Sequence, residues 1–196
     1  MHAVATAETS TVVLVEGESD RLALEAVAVR LGADLAAADA VVLPMGGVTN
    51  LHHYLAALAE PTATRGRRRR VLGLFDSAET GYVRRAVDDA GLGAPGAPLE
   101  QLGFYACEPD LEGELIRALG PGRVESLLAE HGEAGRFRTF QRQPFQRGRA
   151  LDAQLHRFFG THAGRKAQFA PLLVEALDAD RVPAAMTALV VAAIDG

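Results

Sequence analysis

Thr11–Val15 is an unbroken run of β-branched and apolar residues, the pattern of a strand buried on both faces. A polar turn follows, and Ser19 is placed to cap a helix running to about Leu31, with Leu22, Ala26, Val29 and Leu31 along one side and Gly32 at its end. Residues 41–43 predict a second strand, halted by Pro44-Met45-Gly46-Gly47, after which Thr49 or Asn50 can cap a helix to about Ala59. Residues 71–75 predict a third strand and 82–90 a third helix. A Gly/Pro-rich connector from Gly91 to Pro98 leads to a fourth strand at 102–106 and a helix over Leu111–Leu119. Short apolar runs alternating with helical patterns indicate βαβ units and a parallel sheet.

After Gly120 the strand pattern stops. Residues 123–130, Leu151–Phe159, 165–177 and 183–194 all carry helical spacing, the last with Pro183 near its first turn. The expected organisation is a flexible N-terminus over residues 1–10, an α/β domain over 11–120 and a C-terminal helical subdomain over 121–196, packed on the sheet.

Composition narrows the classes. A hydrophobic share of 48% with 23% charged residues suits a globular chain with a real core. The longest apolar stretches, such as Ala184–Ile194, are too short to span a bilayer, so no membrane role is expected and the cytoplasm is the expected compartment. One cysteine, Cys107, excludes an internal disulfide and a cysteine-based zinc site. The six histidines lack zinc spacing and read as surface residues. A net charge of −5 confines any nucleic-acid contact to a local basic patch. Nineteen of the twenty basic residues are arginine, and the sole lysine is Lys166, the one side chain with a compact ammonium whose pKa moves readily on burial.

Ligands of parallel α/β sheets bind where strands end and helices begin. The first strand ends in Glu16-Gly17-Glu18-Ser19-Asp20, the second in Gly46-Gly47, the third in Asp76-Ser77-Ala78-Glu79. Carboxylates gathered at one such edge offer the hard oxygen donors that magnesium or manganese requires. Asp20 and Glu79 also fit simple helix-start roles, as Ser77 fits a cap. Glu16 does not: a carboxylate closing an apolar strand is costly unless paired or metal-bound.

Together, Val12-Val13-Leu14-Val15-Glu16-Gly17-Glu18-Ser19-Asp20, the Gly46-Gly47 turn and Leu72-Gly73-Leu74-Phe75-Asp76 resemble the TOPRIM superfamily of topoisomerases, bacterial primases and OLD (overcoming lysogenisation defect) nucleases. The likeness is to the OLD branch, whose first motif reads Val-Glu-Gly-x-x-Asp. Asp110-Leu111-Glu112-x-x-Leu115 and Gly164-Arg165-Lys166-x-x-Phe169 resemble its later helical segments. The resemblance implies a Rossmann-like TOPRIM parallel sheet flanked by helices, with a C-terminal helical lobe. It implies one or two Mg2+ or Mn2+ ions on Glu16, Asp20 and Asp76, with Glu79 and Glu112 as candidates for the second, and Glu16, Asp76 and Lys166 as catalytic groups. The sequence departs from the family at Ala78, where its Asp-x-Asp motif has the second aspartate. No G-x-x-x-x-G-K-[ST] is present, so ATP hydrolysis is not expected from this chain, and a separate ATPase is a candidate partner.

Two basic stretches are candidates for nucleic-acid contact, DNA being favoured. Arg65-Gly-Arg67-Arg68-Arg69-Arg70 precedes the third strand, at the sheet edge opposite Asp76. Arg136-Phe137-Arg138-Thr139-Phe140, continuing to Phe145-Gln146-Arg147-Gly148-Arg149, interleaves guanidinium groups with aromatics, as a stacking surface for a strand does. The alternative is that the phenylalanines anchor the chain while Arg136, Arg138, Arg147 and Arg149 face water. The functional expectation is a metal-dependent endonuclease or nickase. Its alternatives are a non-catalytic module binding nucleic acid or an ATPase, and a phosphohydrolase of small phosphoesters or nucleotides.

Overall fold

The computed structural model describes residues 9–59, 69–162 and 164–195. Residues 1–8, and Arg65, Arg67 and Arg68 of the first basic stretch, lie outside these. Four strands, β1 (Thr11–Val15), β2 (Ala40–Pro44), β3 (Arg70–Asp76) and β4 (Phe104–Cys107), form one parallel sheet in the order β2-β1-β3-β4. Thr11 pairs with Ala40 on one side and Arg70 on the other, and Asp76 pairs with Cys107. All four C-terminal strand ends therefore point the same way.

Helices cover both faces, so β1 is buried at every position. Alternate side chains serve opposite layers. Val12 and Leu14 join Leu51, Leu55 and Leu58 of α2 (Leu51–Ala59) and Val83, Ala86 and Val87 of α3 (Thr80–Asp89). Val13 and Val15 join α1 (Glu18–Arg30) and the C-terminal helices. Those are α4 (Leu111–Leu119), α5 (Pro121–Glu130), α6 (Ala134–Gln141), α7 (Leu151–Phe159), α8 (Arg165–Glu175) and α9 (Ala184–Ile194). One core runs from Val13 through Leu115 and Phe159 to Leu189, so no break in packing falls at Gly120. Glycine is needed at position 73 of β3, where a Cβ would stand 2.7 Å from the Phe104 ring.

Several local expectations change. The buried side of α1 is Ala23, Leu24, Val27 and Ala28, whereas Val29 is 79% exposed and Leu31 lies outside the core. Packing of α8 along α1 selects that stripe. The α1 cap is Gly17 rather than Ser19. Neither Thr49 nor Asn50 caps α2; the Asn50 amide donates to the Met45 carbonyl at 2.9 Å. Helix α6 lies where the sequence suggests an aromatic interleave; Phe137 and Phe140, one turn apart, are core residues packed on Phe158. No helix among the described residues is long and apolar enough to cross a membrane.

Candidate metal centre

From β1 the chain crosses to β2 on one side and later returns to β3 on the other. The adjacent C-terminal ends of β1 and β3 therefore form the topological switch point, where two connections diverge and leave a crevice. Glu16 stands at the tip of β1, half-buried. Its carbonyl accepts the N–H groups of Gly46 at 2.9 Å and Gly47 at 3.0 Å. Those residues have φ of 73° and 122°, which disfavours any residue bearing a Cβ. The Gly-Gly turn thus clasps the backbone that carries Glu16.

Asp20 lies in the first turn of α1, and its Oδ2 accepts the Gly17 N–H at 2.8 Å. The helix-start role is therefore real, yet it does not account for the site. Burial raises the Asp20 pKa, the Gly17 bond lowers it, and the Glu112 and Glu16 charges raise it again, to about 6. Asp76, closing β3, is pushed up to about 7, first by burial and then by Asp110, Asp20, Glu16 and Glu112. Carboxyls from β1, α1, β3 and the start of α4 thus crowd one another. Such crowding is unfavourable unless protons or a cation supply positive charge.

The fourth strand brings the remaining groups. The Ser77 N–H and hydroxyl both donate to the Pro109 carbonyl, at 3.1 and 3.2 Å, tying the end of β3 to the entry of α4; Ser77 does not cap α3. Asp110 caps α4 by accepting the Gly113 N–H at 2.8 Å. Its other oxygen meets His156 Nε2 at 2.6 Å. One donor atom each from Asp110, Glu112 and His156 fall within 4.8 Å of one another. Glu112 is 7% exposed and pairs with Lys166 Nζ at 2.9 Å. Burial by itself lowers the Lys166 pKa, but the Glu112, Asp110 and Asp20 carboxylates together outweigh it and the net shift is upward, so the ammonium stays charged. Glu114 turns elsewhere, to the Glu108 N–H and Arg117.

Glu16, Asp20, Asp76 and Glu112 are therefore brought together, with Lys166 at their margin. Glu79 sits on the turn after β3 and is not among the charges that bear most on Asp76; Asp110 is. His156, read from sequence as a surface residue, is bonded into the cluster. It lies 46 residues from Asp110, a separation at which no local spacing flags it. Next to Lys166, Arg165 is buried, paired with Glu133 at 3.1 Å, and stacked 3.9 Å over Phe158. It anchors the start of α8 and so positions Lys166.

The interleaved arginines do not share one surface role. Arg136 is ion-paired with Glu133. Arg138 and Arg147 are exposed, and Arg149 Nε donates to the Phe145 carbonyl at 2.8 Å. Of the three phenylalanines only Phe145, 81% exposed, is free of the core.

Comparison with known proteins agrees with this fold. Residues 9–63 match the family described as the overcoming lysogenization defect protein-like TOPRIM domain. No curated protein matches the sequence. Among solved structures, the C-terminal region of the Burkholderia pseudomallei OLD protein superposes with a TM-score of 0.67 at 19% identity, covering 95% of this chain and 98% of that one. The C-terminal region of the Xanthomonas campestris pv. campestris OLD protein gives 0.65 at 23% identity, covering 96% of each.

Proposed function

We propose that this chain, which has the OLD-type TOPRIM fold, is a divalent-metal-dependent phosphodiester hydrolase acting on nucleic acid, as an endonuclease or nickase. The observation that carries the reading is the convergence of Glu16, Asp20, Asp76, Asp110 and Glu112 at the switch point, crowded enough to lift Asp76 to about 7. The donor set fits magnesium or manganese: it is almost wholly carboxylate oxygen, and its repulsion is relieved by a cation. Glu16, Asp20 and Asp76 would hold one ion, and Asp110 and Glu112 a second, with His156 adding a nitrogen donor. A bound cation supplies water activation and neutralisation of the phosphate.

The protein's own groups then have definable tasks. The Gly46-Gly47 clasp fixes Glu16, and the Asp20 bond to Gly17 leaves its second oxygen for the site. Lys166, held by Glu112 and kept protonated, brings positive charge toward a scissile phosphate or donates a proton to a departing oxygen. Its upward shift argues against a role as general base.

The test is nicking of supercoiled plasmid with Mg2+ or Mn2+. Glu16→Gln or Asp76→Asn should abolish it; activity surviving both substitutions would reject the site. A second reading has one observation in its favour. Ala78 replaces the second aspartate of the family motif and is exposed, leaving one ligand position unfilled. A non-catalytic module that binds nucleic acid or a separate ATPase would show DNA binding insensitive to chelators, and no nicking.

A further inference from the structure

Beside the carboxylate cluster, between α4 and α7, lies an open cleft of about 570 Å3. That is within the range of sites that hold small organic ligands, roughly 300–1,000 Å3. Its rim carries three guanidinium groups, Arg117 from α4, Arg149 from the segment before α7, and Arg157 from α7. Its floor is apolar, formed by Pro109, Ile116 and Pro121. Pro121 is the first residue of α5, so that helix begins at the cleft. His156 lines the same cleft and is bonded to Asp110, which sets the cleft next to the candidate metal centre.

We infer that this cleft binds one nucleotide unit of a single nucleic-acid strand, with Arg117, Arg149 and Arg157 on its phosphates and its base or sugar over the Ile116 floor, flanking the metal centre. The inference rests on the proposed reading for its choice of ligand, and on charge and shape for its place. In a chain of net charge −5, three arginines around one apolar floor are a local concentration of positive charge. Asp152 is the one carboxylate in the lining, and Glu114, outside it, pairs with Arg117 at 3.0 Å. Arg117 is tethered to the Glu108 carbonyl and Glu114, and Arg149 to the Phe145 carbonyl, so both are held over the rim. Arg157 is exposed and has no ion pair among the described residues, which leaves its guanidinium available. A charged rim over an apolar floor suits a phosphate joined to a planar or furanose group. The base must be unpaired to reach that floor, so the strand is single or frayed there.

The experiment is fluorescence anisotropy with a labelled 12-nucleotide single strand, in chelator so that no cleavage occurs, across a salt series. Arg157→Ala should weaken binding about 5-fold and lower the slope of log affinity against log salt by about 0.7, the value for one lost phosphate contact on a single strand. Adding Arg117→Ala should roughly double both effects, while Arg117→Lys, which keeps the charge and much of the tether, should restore most of the second. Unchanged affinity and slope in Arg157→Ala and in the double variant would overturn the cleft. So would a mononucleotide that competes as well as the 12-mer, or a duplex that binds as tightly. Plasmid nicking is measured separately. Nicking with unchanged binding would sink the cleft and leave the catalytic reading standing; weakened binding without any nicking would do the reverse.

Discussion

Asp76 offers the sharpest test of whether the carboxylates are crowded as the geometry requires. Its ordinary pKa of 3.8 is raised to about 7 by burial and by Asp110, Asp20, Glu16 and Glu112. Between those values the folded chain holds a proton that the unfolded chain has released. Stability without metal therefore falls as pH rises from about 4 to about 7, and the penalty is complete above the folded pKa. At ~1.4 kcal/mol per pH unit the ceiling is ~4 kcal/mol. Water reaching this half-buried site screens the repulsion, and ~2 kcal/mol is the expected residue. Asp76→Asn removes the charge at nearly constant volume. In chelator at pH 8 it should raise the melting temperature by ~4–8 °C, taking ~2–4 °C per kcal/mol for a chain of this size. Most of that gain should vanish by about pH 4.5, where the wild-type carboxyl is protonated in the fold. Manganese should stabilise the wild type more than the variant, which keeps only the Asp110 and Glu112 position intact, because a ligand stabilises only the state it binds. Thermal unfolding with and without metal at both pH values reads all three effects. A variant less stable than the wild type at pH 8 in chelator would refute the reasoning, since Asp76 would then be satisfied by donors rather than repelled by acids.

Further consequences follow from the same geometry. Manganese affinity should fall as pH drops below about 7, since protons compete at Asp76 and then at Asp20, which titrates near 6; calorimetry at pH 8 and 5.5 measures this, and equal affinities would contradict it. His156→Ala removes both a nitrogen donor of the proposed centre and the partner of Asp110, so it should weaken metal binding by ~10-fold or more and leave urea stability in chelator nearly unchanged. Arg165→Ala strands buried Glu133 without its partner and should cost ~3 kcal/mol in urea unfolding; a loss under ~1 kcal/mol would show that the pair does not anchor α8. Gly73→Ala forces a Cβ against the Phe104 ring and should cost ~1–3 kcal/mol, whereas a neutral result would mean that β3 and β4 yield there.

The four strands, the helices between them and the edge that carries Glu16, Asp20 and Asp76 were legible along the chain, because strand burial and helix starts are written in local spacing. Leu111–Leu119 and Leu151–Phe159 were placed to the residue, as each has a strong apolar period between clear stops. Which side of α1 is buried was not legible. The apolar residues of that helix, Leu22 to Val29 apart from Glu25, form no single stripe, and the choice of Ala23, Leu24, Val27 and Ala28 over Val29 is made by α8, more than a hundred residues away. Helix α6 was hidden for a related reason: Phe137 and Phe140 fit a nucleic-acid stacking pattern as well as a core turn, and only the position of Phe158 separates the two.

Sequence by itself determined the chemical type of the candidate site, hard oxygen donors at the ends of parallel strands with one lysine in a later helix. Tertiary structure decided its membership. It put Asp110 with Asp76 where spacing had offered Glu79, joined His156 to Asp110 across 46 residues, and laid Lys166 on Glu112 across 54. Local pattern reports what a residue does for its own helix or strand. Partners in a pocket are set by how separate elements pack, and that information belongs to no single stretch of chain.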